Sequence, residues 1–186
     1  AAIAIAHQRG FSLADLAERL KRFPGVPGRL ERIVTKTKTT NVFIDHAHTP
    51  DALANVLQTL RKLTAGRLLL VFGCGGDRDP GKRKIMGQVA EKWADWSIIT
   101  NDNPRSEDPA IIARQILGGF SRLDCCMVEL DRRKAIQTVL LNKQAADVVL
   151  IAGKGHETYQ IFQNQTQPFD DRQVAKEILS SLVYVE

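Results

Sequence analysis

The chain alternates short apolar runs with longer stretches in which apolar residues recur every three or four positions. Val148 to Ala152 is uncharged and rich in β-branched residues, as expected of a strand buried on both faces of a sheet. Leu53 to Leu60 instead places its apolar residues on one face of a helix. Strands that alternate with helices of this length predict an α/β fold with a doubly wound, mostly parallel sheet, helices on both faces and one antiparallel edge strand.

The predicted elements follow one another without an internal repeat or a low-complexity tract. Thr49 is placed to cap a helix that has Pro50 at its first position. The predicted strands are Leu30 to Val34, Val42 to Ile44, Arg67 to Phe72, Trp96 to Thr100, Cys125 to Leu130, Val148 to Ala152 and, in an antiparallel hairpin, Tyr159 to Phe162. The other predicted helices are Lys82 to Ala94, Pro109 to Phe120, Arg132 to Lys143 and a last one that Asp170 or Asp171 caps and that runs to Leu182.

The first 29 residues read differently from the rest. Residues 1–22 are predicted to be helical, with Ser12 as an N-cap, and two Pro-Gly-type breaks between Phe23 and Arg29 predict a linker or hinge. The apolar start lacks the basic residues of a signal peptide and is too short to span a membrane, and there is no initiator methionine. We therefore expect the chain to begin inside a longer protein, with no membrane partner.

Charge and cysteine content narrow the class of protein. The net charge of +5 is spread along the chain rather than clustered, which favours acidic small substrates such as nucleotides and argues against a nucleic-acid partner. The three cysteines, two of them adjacent at Cys125 and Cys126, fit neither a disulfide framework nor a metal site. We expect a reducing compartment and no metal ligands in this chain.

The most informative polar stretch follows the apolar run that ends at Thr100. Asp102, Asn103 and Arg105 come at the carboxyl end of a predicted strand, where ligands sit in open α/β sheets. The carboxylate can hold an ammonium group and the guanidinium can hold a carboxylate, so the segment suits a ligand with both charge signs. On spacing alone, an Asn-Pro turn with solvated charges fits equally well.

Three further strands are predicted to run into polar loops at the same edge of the sheet. Asp45 precedes a helix N-terminus, which favours anions, and can organise Mg²⁺ or a ribose, or merely cap the helix. The stretch from Gly73 to Arg83 combines glycines with the cations Arg78, Lys82 and Arg83, yet matches neither a Walker A loop nor a dinucleotide fingerprint. The loop from Gly153 to Glu157 offers an exposed backbone, a cation, an imidazole and a carboxylate, and its histidine fits a hydrogen-bonding role better than a catalytic one.

Four motifs in this order resemble the Mur ligase family. They are Asp45 to Ala52, Gly73 to Asp79, Asp102-Asn103-Pro104-Arg105 and Gly153-Lys154-Gly155-His156-Glu157, and Gly25 to Glu31 is similar to the family's junction between its central and C-terminal domains. The resemblance implies that residues 1–28 are the end of a central ATPase domain plus a hinge, and that residues 29–186 form the Rossmann-like C-terminal domain. One departure is His46, which stands where the family usually has tyrosine.

The resemblance also implies an activity and its reactants. Family members with this Asp-Asn-Pro-Arg motif are cytoplasmic, ATP- and Mg²⁺-dependent ligases of peptidoglycan synthesis that join meso-2,6-diaminopimelate to UDP-N-acetylmuramoyl-L-alanyl-D-glutamate. The P-loop, the main metal ligands and the UDP-sugar site belong to domains absent from this chain, so we expect no catalytic residue here and no activity from this part alone. By resemblance, the ATP-binding positions are Arg29, Asp45 and His48, and the diaminopimelate-binding positions are Arg78, Asp102, Asn103, Pro104, Arg105, Gly153 and Glu157.

The charges at these positions agree with that substrate. Arg78 and Arg105 can pair with the second carboxylate of diaminopimelate, and an arginine there would repel the terminal ammonium of lysine. Three other interpretations stay open: another ligase of the superfamily, such as folylpolyglutamate synthase or the ligase that adds D-Ala-D-Ala; a stand-alone amino-acid-binding module; and a nicotinamide-binding oxidoreductase. The paired strand-end motifs disfavour another ligase of the superfamily. The abrupt N-terminus disfavours a stand-alone binding module, and the missing glycine fingerprint disfavours an oxidoreductase.

Overall fold

The computed structural model of the chain describes residues 2–23, 25–35, 39–163 and 165–182. Part of the predicted turn after Val34, and Pro24 of the predicted hinge, lie outside these residues. The helices are α1 (Ala2–Gln8), α2 (Leu13–Lys21), α3 (Pro50–Arg61), α4 (Gly81–Trp93), α5 (Pro109–Leu117), α6 (Arg132–Asn142) and α7 (Asp171–Leu182). The strands are β1 (Glu31–Val34), β2 (Thr39–Asp45), β3 (Leu68–Phe72), β4 (Trp96–Ile99), β5 (Cys126–Val128), β6 (Val148–Ala152), β7 (Tyr159–Phe162) and β8 (Gln165–Pro168).

Six of the strands form one sheet in the order β1-β2-β6-β3-β4-β5. All neighbouring pairs are parallel except β1 and β2, so β1 is the antiparallel edge strand. The predicted hairpin strand β7 pairs with β8 in a separate two-stranded sheet. The predicted doubly wound fold is confirmed, and the ends of β2, β6, β3 and β4 lie side by side at one edge.

Apolar side chains cover both faces of the sheet. Alternate residues of β3 and β6 point to opposite sides, and both strands are buried along their whole length. Leu70 and Leu150 pack with α3, α4 and α5 on one face, whereas Val71 and Ile151 pack with α6 and α7 on the other. Burying each such side chain contributes about 1.5–3 kcal/mol, so the strand ends that carry the polar loops stand on a rigid base. No helix of the described residues is long and apolar enough to cross a bilayer.

The region predicted to be helical over residues 1–22 forms two helices. Helix α1 ends at Gln8, and Gly10 adopts a positive φ of 92°, a conformation that glycine reaches without a steric penalty. Helix α2 then starts with Ser12 as its N-cap, as predicted, since the Ser12 hydroxyl oxygen accepts a hydrogen bond from the Asp15 backbone N–H at 3.0 Å. Neither helix buries a single residue, so this region adds little to the core.

The linker that follows is pinned at its C-terminal end. Gly28 has a φ of +69°, and a Cβ there would lie 2.2 Å from the backbone nitrogen of His156 and 2.4 Å from the carbonyl carbon of Gly155. A Cβ on Gly155 would in turn lie 2.8 Å from the Gly28 carbonyl oxygen. Gly25, by contrast, has a φ of +84° and open space around it. The backbone of the linker therefore touches the loop after β6 at Gly28 and is unconstrained at Gly25.

Asp147, just before β6, should make the free energy of unfolding fall at acid pH. Its buried carboxylate accepts hydrogen bonds from the Arg67 side chain and from the backbone N–H groups of Arg67 and Gln144. Burial raises the pKa of Asp147, but these hydrogen bonds outweigh it and lower that pKa to about 2. The stabilisation is therefore complete above the ordinary aspartate pKa and is lost as the pH falls towards 2.

The measurement is urea unfolding of the chain and of an Asp147→Asn variant between pH 2 and pH 7. We expect the ionised carboxylate to make the original chain more stable at pH 7, and that advantage to shrink by about 2 kcal/mol towards pH 2. A stability difference that stays constant with pH would show that the carboxylate is not held in its ionised form by the fold.

Candidate functional site: a zwitterion-binding cleft at the carboxyl edge of the sheet

The four polar loops meet in one cleft of about 450 Å³. They follow β2, β3, β4 and β6, which are neighbours in the sheet, so their ends deliver side chains to a common place. The sequence predicted that the loops share one edge, because strands that alternate with helices are parallel. The cleft is lined by His46, His48, Thr49, Gly75, Arg78, Asp79, Lys82, Asp102, Asn103, Arg105, Gly153 and Glu157.

The β7–β8 hairpin supports the loop after β4. Arg105 donates its backbone N–H to the Ile161 carbonyl at 3.0 Å and accepts from the Gln163 N–H at 2.7 Å. Arg105 has a φ of +54°, which is unusual for a residue with a side chain, and these two bonds hold it there. Its Nη1 donates to the Gly76 carbonyl oxygen at 2.7 Å, which fixes the guanidinium against the cleft wall.

The glycine-rich loop after β3 is locked onto the loop after β4. Gly76 donates its N–H to the Asn103 carbonyl at 2.9 Å, and a Cβ on Gly76 would lie 1.8 Å from the buried Pro104 carbonyl oxygen. The nearby Arg78 side chain is exposed, and its guanidinium donates to the Asp77 carbonyl at 2.9 Å. The two loops therefore form one platform that presents Arg78 and Arg105 to the cleft.

One expected cation of this loop does not face the cleft. Arg83 is fully buried and forms a two-pronged ion pair with Glu107, whose oxygens lie 2.7 and 2.8 Å from its nitrogens. Glu107 also accepts the Asp77 backbone N–H at 2.6 Å. Arg83 is therefore a support for the loop rather than a ligand for an anion, because its charge is already neutralised below the surface.

Lys154 is a buried cation of the loop after β6 that was not among the predicted site residues. Its ammonium is buried, with Nζ 3.1 Å from Asn103 Oδ1, 3.3 Å from Glu157 Oε2 and 3.6 Å from Asp102 Oδ1. The lysine thus joins the loops after β4 and β6 and neutralises part of their negative charge. The glycines on either side of it predicted a ligand-facing cation, and no local pattern shows that the side chain turns inward.

Glu157 keeps a charged carboxylate at the rim of this cluster. Burial raises the pKa of Glu157, but the hydrogen bond from Asn103 Nδ2 at 2.9 Å and the charge of Lys154 outweigh that effect and leave the pKa below its usual value. Gly153 leaves room for the second carboxylate, since a Cβ there would come within 3.3 Å of Asp102 Oδ2. The cleft therefore offers carboxylates that can hold an ammonium group and guanidinium groups that can hold a carboxylate.

The positions expected to meet ATP lie at one end of the cleft or outside it. His48 lines the cleft, with Nδ1 2.8 Å from the His46 carbonyl oxygen. Asp45 does not line it, since its carboxylate accepts the backbone N–H groups of Leu30 and Ala47 at 2.7 and 2.8 Å. These hydrogen bonds hold the start of β1 against the end of β2. Asp45 therefore has a structural role, as the helix-capping alternative also supposed, but its main partner is the backbone before β1.

Arg29 lies at the end of the linker with an exposed side chain. The ion pair with Glu31 that the sequence allowed is not formed, because Glu31 accepts the Gly28 N–H at 2.7 Å and faces Arg172 at 4.0 Å. Within the described ranges, no ion pair or hydrogen bond holds the Arg29 guanidinium. It is therefore available to an anion.

Fold and cleft together define an α/β domain with a cleft, at the carboxyl edge of its sheet, that is lined by both guanidinium and carboxylate groups. Comparison with known families agrees with this class, since the family described as "Mur ligase, glutamate ligase domain" matches residues 28–155. The chain belongs to the Mur ligase family.

Three relatives with the same name illustrate the similarity. The chain is 51% identical over 184 residues to the UDP-N-acetylmuramoyl-L-alanyl-D-glutamate--2,6-diaminopimelate ligase of Prochlorococcus marinus (strain NATL1A), covering 96% of this chain and 36% of that protein. It is 50% identical over 186 residues to the ligase of the same name from Chlamydia felis (strain Fe/C-56), covering 98% of this chain and 38% of that protein. A solved structure with this name matches with a TM-score of 0.79 and 40% identity, over 98% of this chain and 37% of the solved one. The chain thus spans little more than a third of the length of these relatives.

Proposed function

We propose that the chain is the C-terminal, amino-acid-binding part of a cytoplasmic ligase that adds meso-2,6-diaminopimelate to UDP-N-acetylmuramoyl-L-alanyl-D-glutamate during peptidoglycan synthesis. The observation that carries the proposal is the single cleft that is lined by the guanidinium groups of Arg78 and Arg105 and by the carboxylates of Asp102 and Glu157. The names of the relatives support it. Within this proposal, residues 1–28 belong to a central ATPase domain and its hinge, and residues 29–186 form the C-terminal domain.

The balance of charge in the cleft favours diaminopimelate over lysine. Diaminopimelate has an ammonium and a carboxylate at each end and no net charge, whereas lysine has one carboxylate fewer and a net positive charge. Arg78 is free to pair with the second carboxylate, and Arg105 offers the guanidinium nitrogens that do not bind Gly76. The cleft and the lysine beneath it hold four cations (Arg78, Lys82, Arg105 and Lys154) and three anions (Asp79, Asp102 and Glu157). A site with this balance repels a cationic competitor.

The reaction that we assign to the complete ligase, meaning the longer protein to which this chain belongs, is ATP-dependent amide formation. ATP transfers its terminal phosphoryl group to the D-glutamyl carboxylate, the amine of diaminopimelate attacks the acyl phosphate, and phosphate leaves with loss of a proton from the amine. This chain contributes by holding the distal amino-acid centre so that the other amine is positioned for attack. Asp102 and Glu157 bind the distal ammonium, and Arg78 and Arg105 bind the distal carboxylate.

The fit of the chain to ATP and Mg²⁺ is uneven. Arg29 is free to meet a phosphate, and His48 stands at the end of the cleft nearest to α3. Asp45 is already engaged by two backbone N–H groups, so its contribution to the nucleotide site is indirect. The described parts of the chain contain no group of three His, Cys, Asp or Glu side chains that could hold a metal ion. We therefore assign the Mg²⁺ ligands to the rest of the ligase.

Amino-acid selectivity of the complete ligase tests the proposal. ADP release in the presence of the nucleotide acceptor is expected to show a kcat/KM for meso-2,6-diaminopimelate at least a hundredfold above that for L-lysine. Two charge-assisted hydrogen bonds, each contributing about 1.5–3 kcal/mol, account for a ratio of this size. As a control, the 186-residue chain alone should release no ADP above the blank, because it has no P-loop lysine. Equal use of lysine, or turnover by the chain alone, would overturn the proposal.

A further inference from the structure

A buried ion pair lies beneath the cleft. Arg132, at the start of α6, donates from Nε and Nη2 to the two oxygens of Asp171, at the start of α7, both at 2.8 Å. Both side chains are completely shielded from solvent. The pair therefore joins the ends of two helices that cover the same face of the sheet.

The same guanidinium also binds the backbone just after β4 and at the end of β6. Nη1 donates to the Asn101 carbonyl oxygen at 3.1 Å, and Nη2 donates to the Ala152 carbonyl oxygen at 3.0 Å. Asn101 immediately precedes Asp102, and Ala152 immediately precedes Gly153, so each bond grips the last residue before a cleft loop. The two loops follow β4 and β6, which are not neighbours, because β3 lies between them in the sheet. Arg132 thus bridges across the end of β3 and sets the spacing between the loops.

Stability alone does not account for this arrangement. Moving two charges out of water is costly, and apolar residues of similar volume often stabilise a protein as well or better. Joining α6 to α7 needs no buried charge either, since the adjacent Arg133 forms an exposed pair with Glu177 at 2.6 Å between the same helices. The feature that distinguishes Arg132 is its contact with the two strand ends.

We propose that Arg132, oriented by Asp171, is a positioning residue for the amino-acid site. It fixes the distance between Asp102 on one loop and the segment from Gly153 to Glu157 on the other, and so keeps Lys154 at the spacing at which it bridges them. That the cleft binds an amino acid rests on the proposed function. The role of Arg132 in setting the spacing of the loops is independent of the identity of the ligand.

The kinetic test uses the double variant Arg132→Met/Asp171→Leu in the complete ligase, because it removes both charges together and leaves neither one buried alone. We expect the KM for diaminopimelate to rise at least tenfold, with the KM values for ATP and the nucleotide acceptor within twofold of the original. Arg132→Lys keeps the charge opposite Asp171 but cannot reach both carbonyls, so a smaller rise is expected. Arg133→Met is the matched control and should change none of these values.

A structural test that needs no ligand runs in parallel on the 186-residue chain. The double variant should shift the backbone amide NMR signals of Asp102, Gly153 and Lys154, whereas Arg133→Met should leave them in place. If the double variant unfolds, the Arg132→Lys variant replaces it in both the kinetic and the NMR test, and the same outcomes apply to it. Unmoved signals together with an unchanged KM for diaminopimelate in a folded variant would show that the pair only stabilises the fold. Failure of the original ligase to use diaminopimelate would instead contradict the proposed function, and the amide signals would still decide the positioning role.

Discussion

Replacing Arg105 with alanine in the complete ligase is expected to raise the KM for diaminopimelate between tenfold and more than a hundredfold. The guanidinium is anchored at the cleft wall by the Gly76 carbonyl and has nitrogens left for a carboxylate. A charge-assisted hydrogen bond contributes about 1.5–3 kcal/mol, and about 1.4 kcal/mol corresponds to a factor of ten. The KM for the nucleotide acceptor should stay unchanged, because the proposed function places that substrate in other domains.

Two further variants separate the charge from the scaffold in this experiment. Arg105→Lys retains the positive charge but loses the planar fork, so we expect a KM between those of the original and the alanine variant. Arg114→Ala removes an exposed arginine on α5, outside the cleft, and should leave all kinetic constants unchanged. A wild-type KM for diaminopimelate in the Arg105→Ala enzyme would assign Arg105 to the scaffold and remove it from substrate selection.

Replacing Arg29 with alanine should abolish most ligation by the complete ligase and leave this chain as stable as before. The guanidinium is exposed at the end of the linker, and the carboxylate of its expected partner Glu31 binds Gly28 and faces Arg172 instead. A surface ion pair with Glu31 therefore does not account for an arginine at this position. A cation at this position can reach a nucleotide on a neighbouring domain when the linker rotates and the two domains close. We therefore expect at least a tenfold loss in kcat or an equal rise in the KM for ATP.

The nearby Arg32 provides the control for Arg29. Its side chain is held by the Thr40 carbonyl at 2.6 Å and by Asn41 at 2.7 Å, so it is not free to bind a nucleotide. Arg32→Ala should lower stability slightly and leave the KM for ATP unchanged. Urea unfolding of the Arg29→Ala chain should agree with the original within about 0.5 kcal/mol, as is usual for surface substitutions. Near-normal kcat and KM for ATP would make Arg29 an ordinary linker charge.

The sequence predicted those parts of the fold in which burial leaves a continuous apolar trace. Strands β3 and β6 are buried along their length, and their runs were therefore recognisable within a residue or so of their ends. Strand β8 escaped prediction because all of its residues are exposed and it contains a proline. The N-cap at Ser12 was predicted, but the end of α1 at Gln8 was not, since a glycine within a helical pattern costs only about 1 kcal/mol and does not by itself require the helix to end.

The site was predictable in its location and less so in the direction of its side chains. Placing four polar loops at one edge needs only parallel strands, which the alternation of strands and helices predicts. Whether a lysine or arginine in such a loop faces the ligand depends on distant partners. Arg83 turns towards Glu107 and Lys154 towards Asn103, and neither partner is close in the sequence. The buried pair beneath the strands is hidden from sequence reasoning for the same reason.

The contact between Gly28 and Gly155 limits how this protein can evolve. Each glycine occupies a place where even one additional carbon would collide with the backbone of the other segment. A side chain gained at either position must therefore displace a segment far away in the sequence, and no single substitution elsewhere in a side chain can restore the lost space. The linker and the loop that presents Lys154 and Glu157 consequently cannot diverge independently, and lineages that alter one are expected to have altered the other.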